Sequence, residues 1–183
     1  MKLVILDRDG VINQDSDQFI KSPDEWKPIV GSLEAITRLT QAKYRVVVAS
    51  NQSGLARGLF NIDNLNQIHD KMHRSLAELG GYVDAVFFCP HAPKAACTCR
   101  KPKPGLFVDI ATRLGIQLTG IPAVGDALRD LQAAAAAGAK PVLVRTGKGE
   151  KTADSLAENG LAHVPVYADL AAFVDALLQD QLA

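Results

Sequence analysis

The sequence predicts a three-layer α/β fold in which helices cover both faces of a parallel β-sheet. Three observations lead there. Short apolar runs alternate with stretches of helical periodicity along the chain. The runs are short and rich in β-branched residues, as suits strands buried on both faces. Polar and charged residues gather where the runs end, which is where such sheets bind ligands.

Leu3–Leu6 is the first strand. A helix is expected over Ser32–Ala42, where Leu33, Ile36 and Leu39 recur at spacing three. Val46–Ala49 is a β-branched run and the second strand. From Asp63 to Leu79 the apolar residues Leu65, Ile68, Met72, Leu76 and Leu79 follow a helical period, and Gly80-Gly81 stops it. Val83–Phe88 is the third strand, and Gly105–Leu114 is a helix ending at Gly115. Ile121–Val124 and Pro141–Val144 bracket an alanine-rich helix, Leu128–Ala137, stopped by Gly138. Its alanine run suits close packing of helix on sheet. The last 30 residues are expected to form one or two amphipathic helices around a short HVPVY segment. Strands alternating with helices imply right-handed crossovers and a Rossmann-like, doubly wound sheet. With no linker or repeat, residues 1–183 are expected to be one domain. Neither Asp9–Ser50 nor Ser50–Lys101 leaves room for a separate cap domain.

A chain of 183 residues can bury a sizeable core without disulfides. Lys plus Arg and Asp plus Glu number 20 each, so no basic excess points to a nucleic-acid partner. No apolar run approaches the length of a membrane span. The start MKLVILDRDG lacks a signal-peptide core, because its apolar stretch ends at once in acids. All 3 cysteines lie between residues 89 and 99, unlike a secreted disulfide framework. A cytoplasmic monomer acting on a small molecule, with no nucleic acid or membrane partner, is the expectation.

The first strand empties into Asp7-Arg8-Asp9-Gly10. Two carboxylates at i and i+2 on extended chain lie about 5–7 Å apart if they face the same way. At an effective dielectric near 20 they repel by roughly 3 kcal/mol. A cation, a shared proton or open water must offset that. The second strand ends in Ser50-Asn51-Gln52-Ser53-Gly54, the third in Cys89-Pro90-His91, the fourth in Gly125-Asp126. Singly these are ordinary: Asp-Gly makes turns, and Asp126 could cap the next helix. Their joint placement at successive strand ends is not ordinary.

The order D-x-D-G, a strand-terminal Ser50, then Lys101, then G-D-x-x-x-D resembles the haloacid dehalogenase superfamily of aspartate-nucleophile phosphatases. More narrowly, LDRDGVIN, SNQSGLARG, CRKPKPG, VGDALRDLQAA and the Cys/His cluster resemble its histidinol-phosphatase and heptose-bisphosphatase branch, from Lys2 to about Arg145. Ala127 departs from the branch, which often carries lysine there. The resemblance implies that Asp7 is the nucleophile and Asp9 the general acid, then the base. It implies Mg²⁺ on the Asp7 carboxylate, the Asp9 backbone carbonyl and Asp126, a hard-oxygen set that suits this ion. Ser50 and Lys101 would hold the transferring phosphoryl group, and Asn51, Gln52, Ser53 and Arg100 would meet the substrate. Asp130 would orient Lys101 or a metal-bound water. The expected substrate is a sugar phosphate: heptose 1,7-bisphosphate at its 7-phosphate, feeding lipopolysaccharide or another glycan. Histidinol phosphate is the rival.

Cys89, His91, Cys97 and Cys99 form C-x-H-x5-C-x-C, using every cysteine in the chain. Four soft ligands so close suit tetrahedral, structural Zn²⁺. Such binding contributes on the order of 10 kcal/mol to ordering a loop with little apolar content. It would also anchor Arg100-Lys101, which follow Cys99 directly. The competing reading, a catalytically silent zinc-dependent interaction module, is disfavoured by Asp7, Asp9, Lys101 and Asp126 standing together. H-D-K-M-H places His69 and His73 one helical turn apart but lacks the glutamate of a zincin helix, so no metal role is expected. Trp26 is expected to anchor a loop. Arg57 fits a surface arginine as well as a distal-phosphate ligand.

Overall fold

The computed structural model describes residues 1–180. Residues 181–183, the end of the expected domain and its final helical stretch, lie outside the described residues. The elements are β1 (Leu3–Leu6), α1 (Ser32–Gln41), β2 (Arg45–Asn51), α2 (Ile62–Glu78), β3 (Ala85–Cys89), α3 (Gly105–Leu114), β4 (Pro122–Gly125), α4 (Leu128–Ala136), β5 (Lys140–Val144), α5 (Gly149–Ser155), β6 (Val166–Tyr167) and α6 (Leu170–Gln179).

All six strands join one parallel sheet in the order β3-β2-β1-β4-β5-β6. The chain winds outward from β1 to one edge, then returns past β1 to the other. The order therefore reverses between β1 and β4, and a crevice opens there beyond the strands' carboxyl ends. Asp7 stands on that line, its backbone N–H donating to the Val124 carbonyl at 2.9 Å.

Strand alternation sorts side chains between two helical layers. Val4, Leu6, Val46 and Val48 pack with Ile36 and Leu39 of α1, Met72 of α2 and Phe173 of α6. Leu3, Ile5, Val47 and Ala49 face the other way, against Leu106, Phe107 and Ile110 of α3 and Ala133 and Ala134 of α4. The alanines let α4 lie close on the sheet, as expected. Each large side chain so buried stabilises the fold by about 1.5–3 kcal/mol.

The differences from expectation lie at the edges. β2 runs on through Ser50 and Asn51, which places both in the sheet's hydrogen-bonded ladder opposite Phe88 and Cys89. The HVPVY segment contributes a short strand, β6, paired with Leu143 and Val144. Helix α5 stands before that segment with no capping side chain to announce it.

Two loops flank the crevice. Residues 7–31 leave β1 through a tight turn in which the Arg8 carbonyl accepts from the N–H groups of Val11, Ile12 and Asn13. Trp26 pins this loop to the core with 1% exposure, and Lys71 of α2 sits over its ring while donating to the Pro23 and Trp26 carbonyls. Residues 90–104 form the second loop, which carries the Cys/His cluster.

Candidate active site

At the crevice floor, Lys101 Nζ lies 3.1 Å from Asp7 Oδ1 and 2.6 Å from Asp130 Oδ1, and donates to the Ala49 carbonyl at 2.8 Å. Its side chain is 1% exposed and that of Asp7 6%. Burial alone would neutralise this lysine, but Asp130 and Asp7 outweigh it and hold its pKa above the usual range. Burial pushes the Asp7 carboxyl up to about 6, despite Lys101. Asp130 resists the same burial because Lys101 and Arg129 face it, and it stays below the ordinary carboxylate range. As the third residue of α4, Asp130 also accepts from the Ala127 N–H at 3.0 Å, which fixes the carboxylate that aims the lysine.

Asp9 has a different cation. Arg8 is fully buried and grips it with Nε on Oδ1 at 3.0 Å and Nη2 on Oδ2 at 3.1 Å. Asn13 Nδ2 donates to Oδ1 at 2.9 Å and Gln52 Nε2 to Oδ2 at 3.2 Å. Burial disfavours charge on Asp9, yet Arg8 and these amides prevail and depress its pKa. The repulsion expected of D-R-D is thus divided: Lys101 offsets Asp7, and Arg8 offsets Asp9.

Asp126 follows β4 and is 1% exposed. Lys148 N–H donates to its Oδ2 at 2.8 Å, but buried Oδ1 has no hydrogen-bond partner. Burial, helped by Asp130 and Asp7, pushes its pKa up to about 8. A buried carboxylate oxygen without a donor, beside a second carboxylate, is what a hard cation would satisfy. Ligand oxygens of Asp7, Asp126 and Asp130 lie within 4.8 Å of one another. Asp130 is engaged by Lys101, which leaves Asp7 and Asp126 to face an ion. Gly10 and Gly147, both at positive φ, press on Asp126: a Cβ on either would fall 2.2 Å from Oδ2. The donor set fits Mg²⁺.

Ser50 is buried, its Oγ accepting from Gln52 Nε2 at 2.9 Å. Asn51 was expected on the substrate. It lines the cleft, but its amide clamps the Lys101 backbone, donating to the carbonyl at 3.0 Å and accepting from the N–H at 3.1 Å. Gln52, Ser53 and Arg100 line the same cleft of about 200 Å³ with Asp7, Asp9 and Ser50. Arg57, Arg129 and Lys148 add positive charge to its wall. Lys148 Nζ also bridges to Asp15 at 3.2 Å and Asp17 at 3.6 Å, latching the first loop across the mouth. A larger open groove of about 1010 Å³ adjoins on the far side of Lys148 but contains neither Asp7 nor Lys101.

Sequence reasoning missed four of these participants. Arg8 and Asn13 stand inside the D-x-D-G-x-x-N stretch, yet nothing in their spacing says which way they turn. Arg129 lies beside the recognised Asp130, and Lys148 belongs to the β5–α5 loop, whose approach depends on the fold.

The second constellation also converges. Cys89 Sγ lies 3.1 Å from Cys99 Sγ, 3.9 Å from Cys97 Sγ and 3.5 Å from His91 Nδ1. The sulfurs are too far apart for disulfides, and the cysteines are free. Tetrahedral Zn²⁺ with ordinary Zn–S bonds would set its sulfur ligands about 3.8 Å apart. The four ligands lie within 4.8 Å of one another and fit such an ion.

Comparison with known proteins identifies relatives over the whole length of the chain. A family model described as HAD-hydrolase-like matches residues 98–173. The chain is 63% identical over 181 residues to the D-glycero-β-D-manno-heptose-1,7-bisphosphate 7-phosphatase of Bordetella bronchiseptica, covering 98% of this chain and 99% of that protein. It is 50% identical over 183 residues to the protein of the same name from Neisseria meningitidis serogroup A, covering 100% and 98%. Among solved structures, the B. bronchiseptica D,D-heptose 1,7-bisphosphate phosphatase complexed with magnesium and phosphate superposes with a TM-score of 0.94, covering 98% and 99% of the two chains.

Proposed function

The chain belongs to the D-glycero-β-D-manno-heptose-1,7-bisphosphate 7-phosphatases, within the HAD-like hydrolases, and we propose that it removes the 7-phosphate of that heptose bisphosphate. The products are heptose 1-phosphate and inorganic phosphate. The observation that carries the reading is the buried Lys101 between Asp7 and Asp130 at the β1/β4 crevice, beside the unpartnered oxygen of Asp126. An interaction module would gain nothing from three buried carboxylates that disfavour one another's ionisation.

Asp7 attacks the 7-phosphorus as the sugar oxygen leaves, and Asp9 gives that oxygen its proton. The phosphate charge brought into the cleft opposes Arg8 and lets Asp9 carry this proton. Asp9 then takes a proton from water as the water attacks phosphorus, which frees Asp7. Lys101 and the Ser50 hydroxyl hold the equatorial phosphoryl oxygens, and positioning with charge neutralisation is most of what this reaction needs. Mg²⁺, held by the Asp7 and Asp126 carboxylates and the Asp9 carbonyl, supplies positive charge to the phosphoryl oxygens. Arg100 and the Gln52-Ser53 segment orient the sugar phosphate.

Zn²⁺ on Cys89, His91, Cys97 and Cys99 is inferred to be structural, since four protein ligands leave no open position. Residues 1–183 are taken as one phosphatase domain, acting as a monomer in the cytoplasm. In support, all described strands share one sheet, and no helix among the described residues is long and apolar enough to cross a membrane.

A phosphate-release panel tests the reading, comparing both heptose 1,7-bisphosphate anomers, histidinol phosphate and fructose 1,6-bisphosphate. The β-anomer should be the preferred substrate, as in the relatives' names. Preference for histidinol phosphate by more than about tenfold in kcat/KM would refute the heptose assignment.

A further inference from the structure

His69 belongs to none of the machinery above. It lies in the middle of α2, buried, with its ring tilted against Phe88 at a centroid distance of 6.3 Å. Its neighbours along the helix face, Leu65, Ile68 and Met72, are apolar core residues. Its Nε2 lies 3.2 Å from Arg8 Nη1. A guanidinium has only donors, so Nε2 accepts and the ring is neutral. Burial and the Arg8 charge hold its pKa down at about 4, consistent with that geometry.

Arg8 therefore has two ends. Nη1 rests on His69, while Nε and Nη2 occupy both carboxylate oxygens of Asp9. The guanidinium is planar and stiff, so an acceptor fixed at one end sets the orientation of the other. No side chain other than His69 is hydrogen-bonded at Nη1 among the described residues. The contact joins α2, in one helical layer, to the acid at the end of β1.

We propose that His69 is a positioning residue for the proton transfer: through Arg8 it sets where the Asp9 oxygens point relative to the leaving oxygen. The proposal rests on the reading of Asp9 as the proton carrier. The opposing account is a core histidine that merely satisfies a buried arginine. The two differ in how they treat the leaving group. A sugar alkoxide needs the proton from Asp9, whereas the anion of an acidic phenol leaves without one.

The test compares His69→Leu, which removes the acceptor, with His69→Gln, whose amide oxygen can replace it. The quantity is kcat/KM, which reports steps through phosphoryl transfer to Asp7 and excludes later hydrolysis. In His69→Leu, kcat/KM for heptose bisphosphate should fall about tenfold or more, and that for 4-nitrophenyl phosphate by less than about threefold. His69→Gln should recover most of the loss. Equal losses on both substrates, or none on either, would overturn the proposal. Should leucine prevent folding, His69→Met is the second variant, since the same helix face already carries Met72. A further readout needs no turnover: the Arg8 Nε–H, followed by ¹⁵N NMR, should exchange with water faster in His69→Leu than in the parent, and unchanged exchange overturns the proposal. Failure of the parent to hydrolyse any sugar phosphate would instead strike the functional reading, and unchanged Arg8 exchange would still overturn the hold of His69 on the guanidinium.

Discussion

Lys101 Nζ meets Asp130 Oδ1 at 2.6 Å with both side chains within 5% of full burial. That contact, more than the lysine's reach to Asp7, fixes where the ammonium stands, because Asp130 is itself held by the Ala127 N–H. Removing the lysine leaves two buried carboxylates with no cation in contact and only the more distant charge of Arg129 to offset them. Lys101→Met should cost about 3–5 kcal/mol in urea unfolding and abolish phosphate release. Lys101→Met with Asp130→Leu should recover much of the stability and none of the activity. Ser50→Ala should cost less activity than either.

Magnesium should stabilise the protein more at alkaline than at acid pH. Burial raises the Asp126 carboxyl to about 8, so in the metal-free protein its contribution to stability is fully present below about pH 4 and is lost as pH rises through about 8. An ion that favours the charged form offsets that loss where it is largest. Calorimetry with and without Mg²⁺ should show a larger rise in Tm at about pH 8.5 than at about pH 5.5. Equal rises would contradict the ligand assignment.

His69 makes the opposite contribution. Its pKa falls from 6.5 to about 4 on folding, so the stability it contributes is present above about pH 6.5 and lost as pH falls through about 4. The full effect is of order 3 kcal/mol. Urea unfolding at about pH 7 and pH 4.5 should show a smaller acid loss in His69→Gln than in the parent protein.

Zinc removal should act on Lys101 through the chain. Metal analysis of purified protein should give about one zinc per chain, and its absence would refute the structural site. Cys97→Ser should lower Tm and phosphate release together, since the 90–104 loop has little apolar content to hold Arg100 and Lys101 in its place.

Gly147 and Gly10 leave the space that Asp126 occupies. Gly147→Ala places a methyl 2.2 Å from Asp126 Oδ2 at a φ of +58°. The strain should cost about 1–3 kcal/mol. The displaced carboxylate should raise the Mg²⁺ concentration for half-maximal activity about tenfold. An unchanged magnesium titration would argue against Asp126 as a ligand.

The sheet and its ligand edge were legible because each strand is a short apolar run ending in its own polar signature. Asp7, Ser50 and Asp126 could be placed at strand ends without knowing the strand order. Lys101 could not: only its following Cys99 and the resemblance pointed to it, and a lysine 1% exposed is not something composition suggests. The Arg8–Asp9 grip was hidden because alternation along extended chain would send neighbours to opposite faces, whereas the turn after β1 brings them together. Lys148 escaped notice because its partners, Asp15, Asp17 and Asp126, are distant in sequence and meet it only once β4 and β5 have paired. β6 is two residues long and has no periodicity to read.

β1 lies between β2 and β4, so the acids come from the first residues of the polypeptide, while Lys101, Asp126 and Asp130 arrive in its second half. A ribosome that has delivered β1 through β3 has made Asp7 without its counter-cation Lys101 and without the strand that accepts its N–H. Competence therefore comes late in synthesis, and a truncated polypeptide ending after β3 would be not a weakened enzyme but an incomplete sheet with stranded negative charge at its centre.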